Sequence, residues 1–166
     1  MPMPQHPEPP SVTIDGRSAF TAAVRHSLAM VLHSRARELC FVDPDFSTWP
    51  LEDDAVRGAL AAWARLPLRR LLVVAGNFDA LPARYPRFTA WRRSWAHVIE
   101  CRQTDVEASQ IPSLLLAGEH SLYLPDRLNW RGHGLSDDAE VGAWREVVDV
   151  LLQRSEPGFG VNTLGL

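Results

Sequence analysis

The feature that most constrains the fold is a strand, a helix and a strand in close succession. Arg37-Glu-Leu-Cys-Phe-Val-Asp43 and Arg70-Leu-Leu-Val-Val-Ala75 are short apolar-rich runs, each the length of one buried strand. Between them Val56, Leu60, Trp63 and Leu66 recur at the helical period. Glu52, Asp53 and Asp54 stand at the positive end of that helix dipole, and Pro67 closes it. A helical crossover is what two parallel strands require, so this stretch predicts parallel pairing and a sheet covered on both faces.

The flanking sequence extends the pattern. Phe20, Val24, Leu28 and Val31 predict a first helix over about Arg17–Arg37, behind Gly16. Phe88, Trp91 and Trp95 predict a third near Tyr85–Ala96, followed by a strand at His97–Cys101. Ser113–Ala117 and His120–Leu124 read as a hairpin turned at Gly118-Glu119, and Pro125–Ser136 as a loop. A last helix begins at Asp137, carries Val141, Trp144, Val148 and Leu151, and ends at Pro157-Gly158. The fold class expected is therefore α/β, a mainly parallel five-stranded sheet with a C-terminal β-hairpin and helices on both faces. Residues 1–10, with five prolines, predict a disordered leader; 11–156 form one domain; 157–166 form an apolar, glycine-containing tail.

Composition removes several function classes. All 17 basic residues are arginine, so no Schiff-base enzyme, Walker P-loop or catalytic-lysine dyad can be built from this chain. The net charge of −3 argues against a nucleic-acid partner, though it leaves room for a local basic patch. No apolar run reaches the roughly 18–20 residues of a membrane span, so no membrane partner is expected. Cys40 and Cys101 lie far apart in apolar runs with no Cys-x-x-Cys pair, which predicts reduced, buried thiols and a cytoplasmic location.

Three groups of residues are candidates for chemistry. The run Asp43-Pro-Asp45-Phe-Ser47-Thr48 follows a strand and resembles the first motif of haloacid-dehalogenase-like phosphatases. On that resemblance Asp43 attacks phosphorus, Asp45 acts as general acid, and Asp137-Asp138 completes a Mg²⁺ site. Against it stand Pro44 inside the motif, Ala75-Gly76 where a phosphate-holding Ser or Thr belongs, and an N-cap position for Asp137. The favoured reading is that Asp43 and Asp45 shape a turn. Second, Arg84, Arg87, Arg92 and Arg93 are concentrated in a stretch with no acid between Asp79 and Glu100. Beside Tyr85, Phe88, Trp91 and Trp95 they are candidates to bind phosphate and stack bases. The plainer reading is an amphipathic helix with Arg92 and Arg93 in solvent. Third, His120 and Asn129 are ligand-binding candidates, with Arg127 and Arg131 near Trp130 as a smaller basic cluster. The six histidines show no metal-ligand spacing, so neither metal nor cofactor is expected.

The order of these elements resembles one half of the phospholipase D-like fold, over about residues 17–156. Catalytic members carry H-x-K-x-x-x-x-D at the start of the hairpin. Laid over Ile111–Gly118, that motif finds Ile111 for His, Ser113 for Lys and Gly118 for Asp. Asn129 stands where a later Asn is expected, without the preceding Gly-Ser. The resemblance therefore implies a degenerate, non-catalytic half, of a kind found in bacteria, acting as an interaction or regulatory module. It also implies a homodimer or a protein partner, since catalytic members join two halves. The alternative for the tail is that it folds back on its own domain.

Overall fold

The computed structural model describes residues 12–159. The two apolar runs are its central strands: β2 (Glu38–Asp43) and β3 (Arg70–Ala75) pair in parallel, Glu38 opposite Arg70 and Asp43 opposite Ala75. The crossover is helix α2 (Asp54–Ala64), with Asp53 as N-cap accepting from the Val56 amide. Before β2 lie β1 (Thr13–Asp15) and helix α1 (Arg17–Leu32); after β3 come helices α3 (Leu81–Arg84) and α4 (Pro86–Ser94). Strand β4 (Ile99–Thr104) is parallel to β3. A 3-10 turn (Ala108–Gln110) leads to β5 (Leu114–Leu116), β6 (Ser121–Asp126) and β7 (Arg131–Leu135). Helix α5 (Asp138–Gln153) and β8 (Ser155–Pro157) complete the described chain.

The sheet has eight strands in the order β1-β7-β6-β5-β2-β3-β4-β8, not the five expected, and it is not mainly parallel. Only β2–β3 and β3–β4 are parallel; the other five pairings are antiparallel, including β2 with β5. The parallel crossover was legible, but three strands carry no period-2 signal. β1 and β8 have three residues each, and β7 reads Arg-Gly-His-Gly-Leu inside the expected loop. The glycines of β7 mark a close backbone approach. A Cβ on Gly132 would lie 2.1 Å from the Tyr123 carbonyl oxygen, so only glycine lets β7 close on β6. The hairpin at Gly118 is present, with Gly118 left-handed at φ 60°.

Alternate residues of β2 and β3 serve two cores. Leu39, Phe41, Leu71 and Val73 join Phe20, Val24, Leu28, Val56, Leu60, Trp63 and Phe88 from α1, α2 and α4. Val42 and Val74 face the other way, toward Val141, Val148 and Leu151 of α5. Helix ends differ from expectation: α1 stops at Leu32, the third helix breaks at Tyr85 because Pro86 starts a new one, and α5 stops at Gln153. No helix among the described residues is long and apolar enough to cross a membrane. The leader lies outside the described residues, as does the tail from 160 onward. The start of that tail docks in cis: β8 reaches Pro157 along β4, and Phe159 stacks on Phe78 at 5.4 Å.

Candidate functional site

Parallel strands aim their carboxyl ends at the edge where α/β proteins place their sites. Asp43, the last residue of β2, is fully buried there. Its Oδ2 accepts from the amides of Asp45 (3.1 Å) and Phe46 (2.7 Å) and from Arg127 Nη2 (3.2 Å). Its Oδ1 accepts from Trp49 Nε1 at 3.1 Å, and the same indole nitrogen reaches Ser113 Oγ at 3.2 Å. The turn this carboxylate organises holds Phe46 at φ 60°, a left-handed position that costs a bulky residue about 1–2 kcal/mol. Tyr85 secures the far side, its hydroxyl 2.7 Å from both the Phe46 and Trp49 carbonyl oxygens. Burial pushes the Tyr85 hydroxyl above its ordinary pKa.

Arg127 is the group that sequence reasoning did not connect to Asp43. From the β6–β7 turn its Nη2 reaches Asp43, Asp45 and Ser47, while its Nε is buried without a hydrogen-bond partner among the described residues. Desolvation pushes the Asp45 carboxyl up, but the Ser47 amide and hydroxyl and the Arg127 charge outweigh it and hold the pKa low. Trp130, itself at φ 50°, adds a bond from Nε1 to the Thr48 carbonyl at 3.0 Å. Two loops far apart in sequence are latched together. With four donors on its oxygens and no exposed surface, the Asp43 carboxylate has no face left to attack phosphorus. The dehalogenase-like reading fails on a second count, since Asp137 caps α5 by accepting from the Ala139 amide. Among the described residues, no group of three His, Cys, Asp or Glu side chains could hold a metal ion. Beside the latch runs a groove of about 500 Å³ lined by Pro44, Pro112, Tyr123, Arg127 and Trp144.

The arginine segment is split. Arg84, Arg87 and Arg93 are exposed, and Arg87 lies 3.6 Å from Asp54. Arg92 is not in solvent as expected: it is buried, its guanidinium 4.9 Å from the centre of the Phe159 ring. Trp91 and Trp95 pack against the core, and Trp95 stacks on His97 at 5.3 Å. Asn129 is exposed and spends its amide on Asp126 in its own turn. His120 lies in a cavity of about 480 Å³ that also takes in Arg35, Arg37 and Arg145. Those three arginines were missed because they come from two distant elements with no local pattern.

The geometry defines an α/β domain with a latched strand-end loop and two separate arginine surfaces. No family model matches the sequence, and no curated protein does. Among solved structures it is similar to the archaeal chromatin protein TrmBL2, whose structure is described as showing a novel mode of DNA binding. The TM-score is 0.61 at 16% identity, covering 91% of this chain. The likeness is therefore one of fold, and this chain spans only 56% of that one. It overturns the phospholipase D-like resemblance and the bacterial family that came with it. That resemblance rested on element order, which fixes neither strand direction nor sheet order.

Proposed function

We propose that this chain is a non-catalytic nucleic-acid-binding module that meets the phosphate backbone of duplex DNA through the exposed arginines of α3 and α4. The observation that carries the reading is the shape of α4. Its exposed residues are Pro86, Arg87, Ala90, Arg93 and Ser94, one stripe in which two guanidinium groups flank small side chains. Arg84 extends it from the preceding helix, and no acid falls between Asp79 and Glu100. Such a face can lie flat along a backbone, and the planar guanidinium fork matches phosphate oxygens. The fold shared with a DNA-binding chromatin protein supports the same reading. Because Trp91 and Trp95 are packed inward, the contact is with phosphates and not with stacked bases. In this role the chain works in the cytoplasm with both cysteines reduced.

Three phosphate contacts give a salt slope of about −2.7 in log–log form. Anisotropy of a labelled duplex titrated with the protein across a salt series tests this. The expected result is binding at low salt with that slope, abolished by combined Arg84→Ser, Arg87→Ser and Arg93→Ser substitution. Asp54→Asn, which removes the carboxylate beside Arg87, should tighten binding. No binding at low salt, or full binding by the triple variant, rejects the proposal.

A further inference from the structure

One helix about 10 Å wide covers about two strands spaced 4.8 Å apart, so α5 alone leaves part of its sheet face open. Beside it lies a slot of about 320 Å³ lined by Cys40, Leu72, Leu116, Val148 and Leu152, with Arg70 and Asp149 at its edge. Glu38 and Arg145 line both this slot and the His120 cavity, so the two adjoin. The cavity itself is assembled from the loop Ser34–Arg37 after α1, the turn Ala117–His120 between β5 and β6, and Arg145 of α5. Seven of the other arginines hold a carboxylate: Arg25, Arg57, Arg70, Arg87, Arg127, Arg131 and Arg154. Arg35, Arg37 and Arg145 make no ion pair and no side-chain hydrogen bond among the described residues. In a chain of net charge −3, three unspent guanidiniums around one cavity are a local excess.

We propose that Arg35, Arg37, Arg145 and His120 form a binding site for a small organic phosphate whose apolar body lies in the adjoining slot. The guanidinium groups supply forked donors for the phosphate oxygens. His120 has a side chain only 20% exposed, rests edge-on against His26, and adds a ring nitrogen donor or acceptor. Two carboxylates share the cavity, Glu38 and Glu119, and leave the guanidiniums in excess by one. Glu119 stands 3.5 Å from His120 Nε2, with a side chain 73% exposed at the rim. Together the two spaces match the size of a small-molecule site, about 300–1,000 Å³. The site is separate from Arg84, Arg87 and Arg93 and does not depend on DNA binding.

Calorimetric titration of the full chain with phenyl phosphate, and separately with inorganic phosphate, tests the proposal. Phenyl phosphate is expected to bind saturably and at least ten-fold more tightly than inorganic phosphate. Combined Arg35→Gln, Arg37→Gln and Arg145→Gln substitution, at exposed positions that leave the fold intact, should weaken both by ten-fold or more. Cys40→Phe should narrow the slot and weaken only phenyl phosphate; Leu152→Trp offers the same test from α5 should that variant not fold. The variant lacking Arg84, Arg87 and Arg93 should bind phenyl phosphate unchanged, which separates this site from the DNA-binding proposal. No saturable binding, equal affinity for the two phosphates, or undiminished binding by the glutamine variant overturns it.

Discussion

At the scale of the residue, Asp43 is fully buried and accepts four hydrogen bonds. Asp43→Ala would leave the Asp45 and Phe46 amides without their acceptor. It would also take one acceptor each from Trp49 Nε1, which keeps Ser113, and Arg127, which keeps Asp45 and Ser47. Each buried donor left unsatisfied in this way costs about 1–3 kcal/mol. Urea unfolding should show that loss, with Asp43→Asn losing less because it keeps one acceptor oxygen. Two carboxyls, Asp53 and Asp45, contribute to acid sensitivity. Asp53 is held low first by its hydrogen bond from Arg25, and Asp45 by Ser47 and Arg127 against desolvation. Both folded values lie below the ordinary 3.8, so the unfolded chain binds more protons in that window. Their contribution is complete above the unfolded value and is lost as pH falls through the folded values. Urea midpoints should therefore fall below about pH 4, and Asp45→Asn should flatten that decline. The turn at Asp43 was legible from Asp-Pro-Asp. Its partner Arg127 was not, because nothing local to either residue encodes a contact across the fold.

At the scale of the element, glycine separates a strand from a helix. Gly132→Ala places a methyl group against the Tyr123 carbonyl and should detach β7 from β6, costing at least about 2 kcal/mol. Gly58→Ala, in α2 with open space around it, should stabilise by about 0.5–1 kcal/mol, since glycine weakens a helix interior. Opposite shifts of the melting midpoint in the two variants would check both. Asp53→Ala should cost about 1 kcal/mol from the lost N-cap alone. Elements with a strong period, β2, β3, α2 and α5, are readable from sequence. β1, β7 and β8 are not, because short edge strands with glycine, proline or charge carry no alternation and exist through their partners.

At the scale of the whole molecule, the thiols report the integrity of the fold. Burial pushes the Cys40 thiol up to about 12 against the pull of Arg145, and raises Cys101 against that of Arg92. Cys101, buried in β4, should not react with a disulfide reagent at neutral pH until urea unfolds the chain. Cys40 is half-buried on the wall of the slot beside α5, not buried as the sequence predicts. A fast native reaction at Cys101 would show that β4 and its cover open readily. Local sequence dictates the parallel crossover, the acidic start of α2, the N-cap at Asp137, the turn at Asp43 and the hairpin at Gly118. Each of these depends on residues within a turn or two of one another, where propensity and periodicity act. The tertiary structure alone decided that β5 runs antiparallel to β2, that the sheet has eight strands, and that Arg92 is buried under Phe159. It also decided that Arg127 closes on Asp43 and that Arg35, Arg37 and Arg145 share a cavity. Those pairings join distant segments, and their register follows from packing across the sheet, which no local pattern of residues specifies.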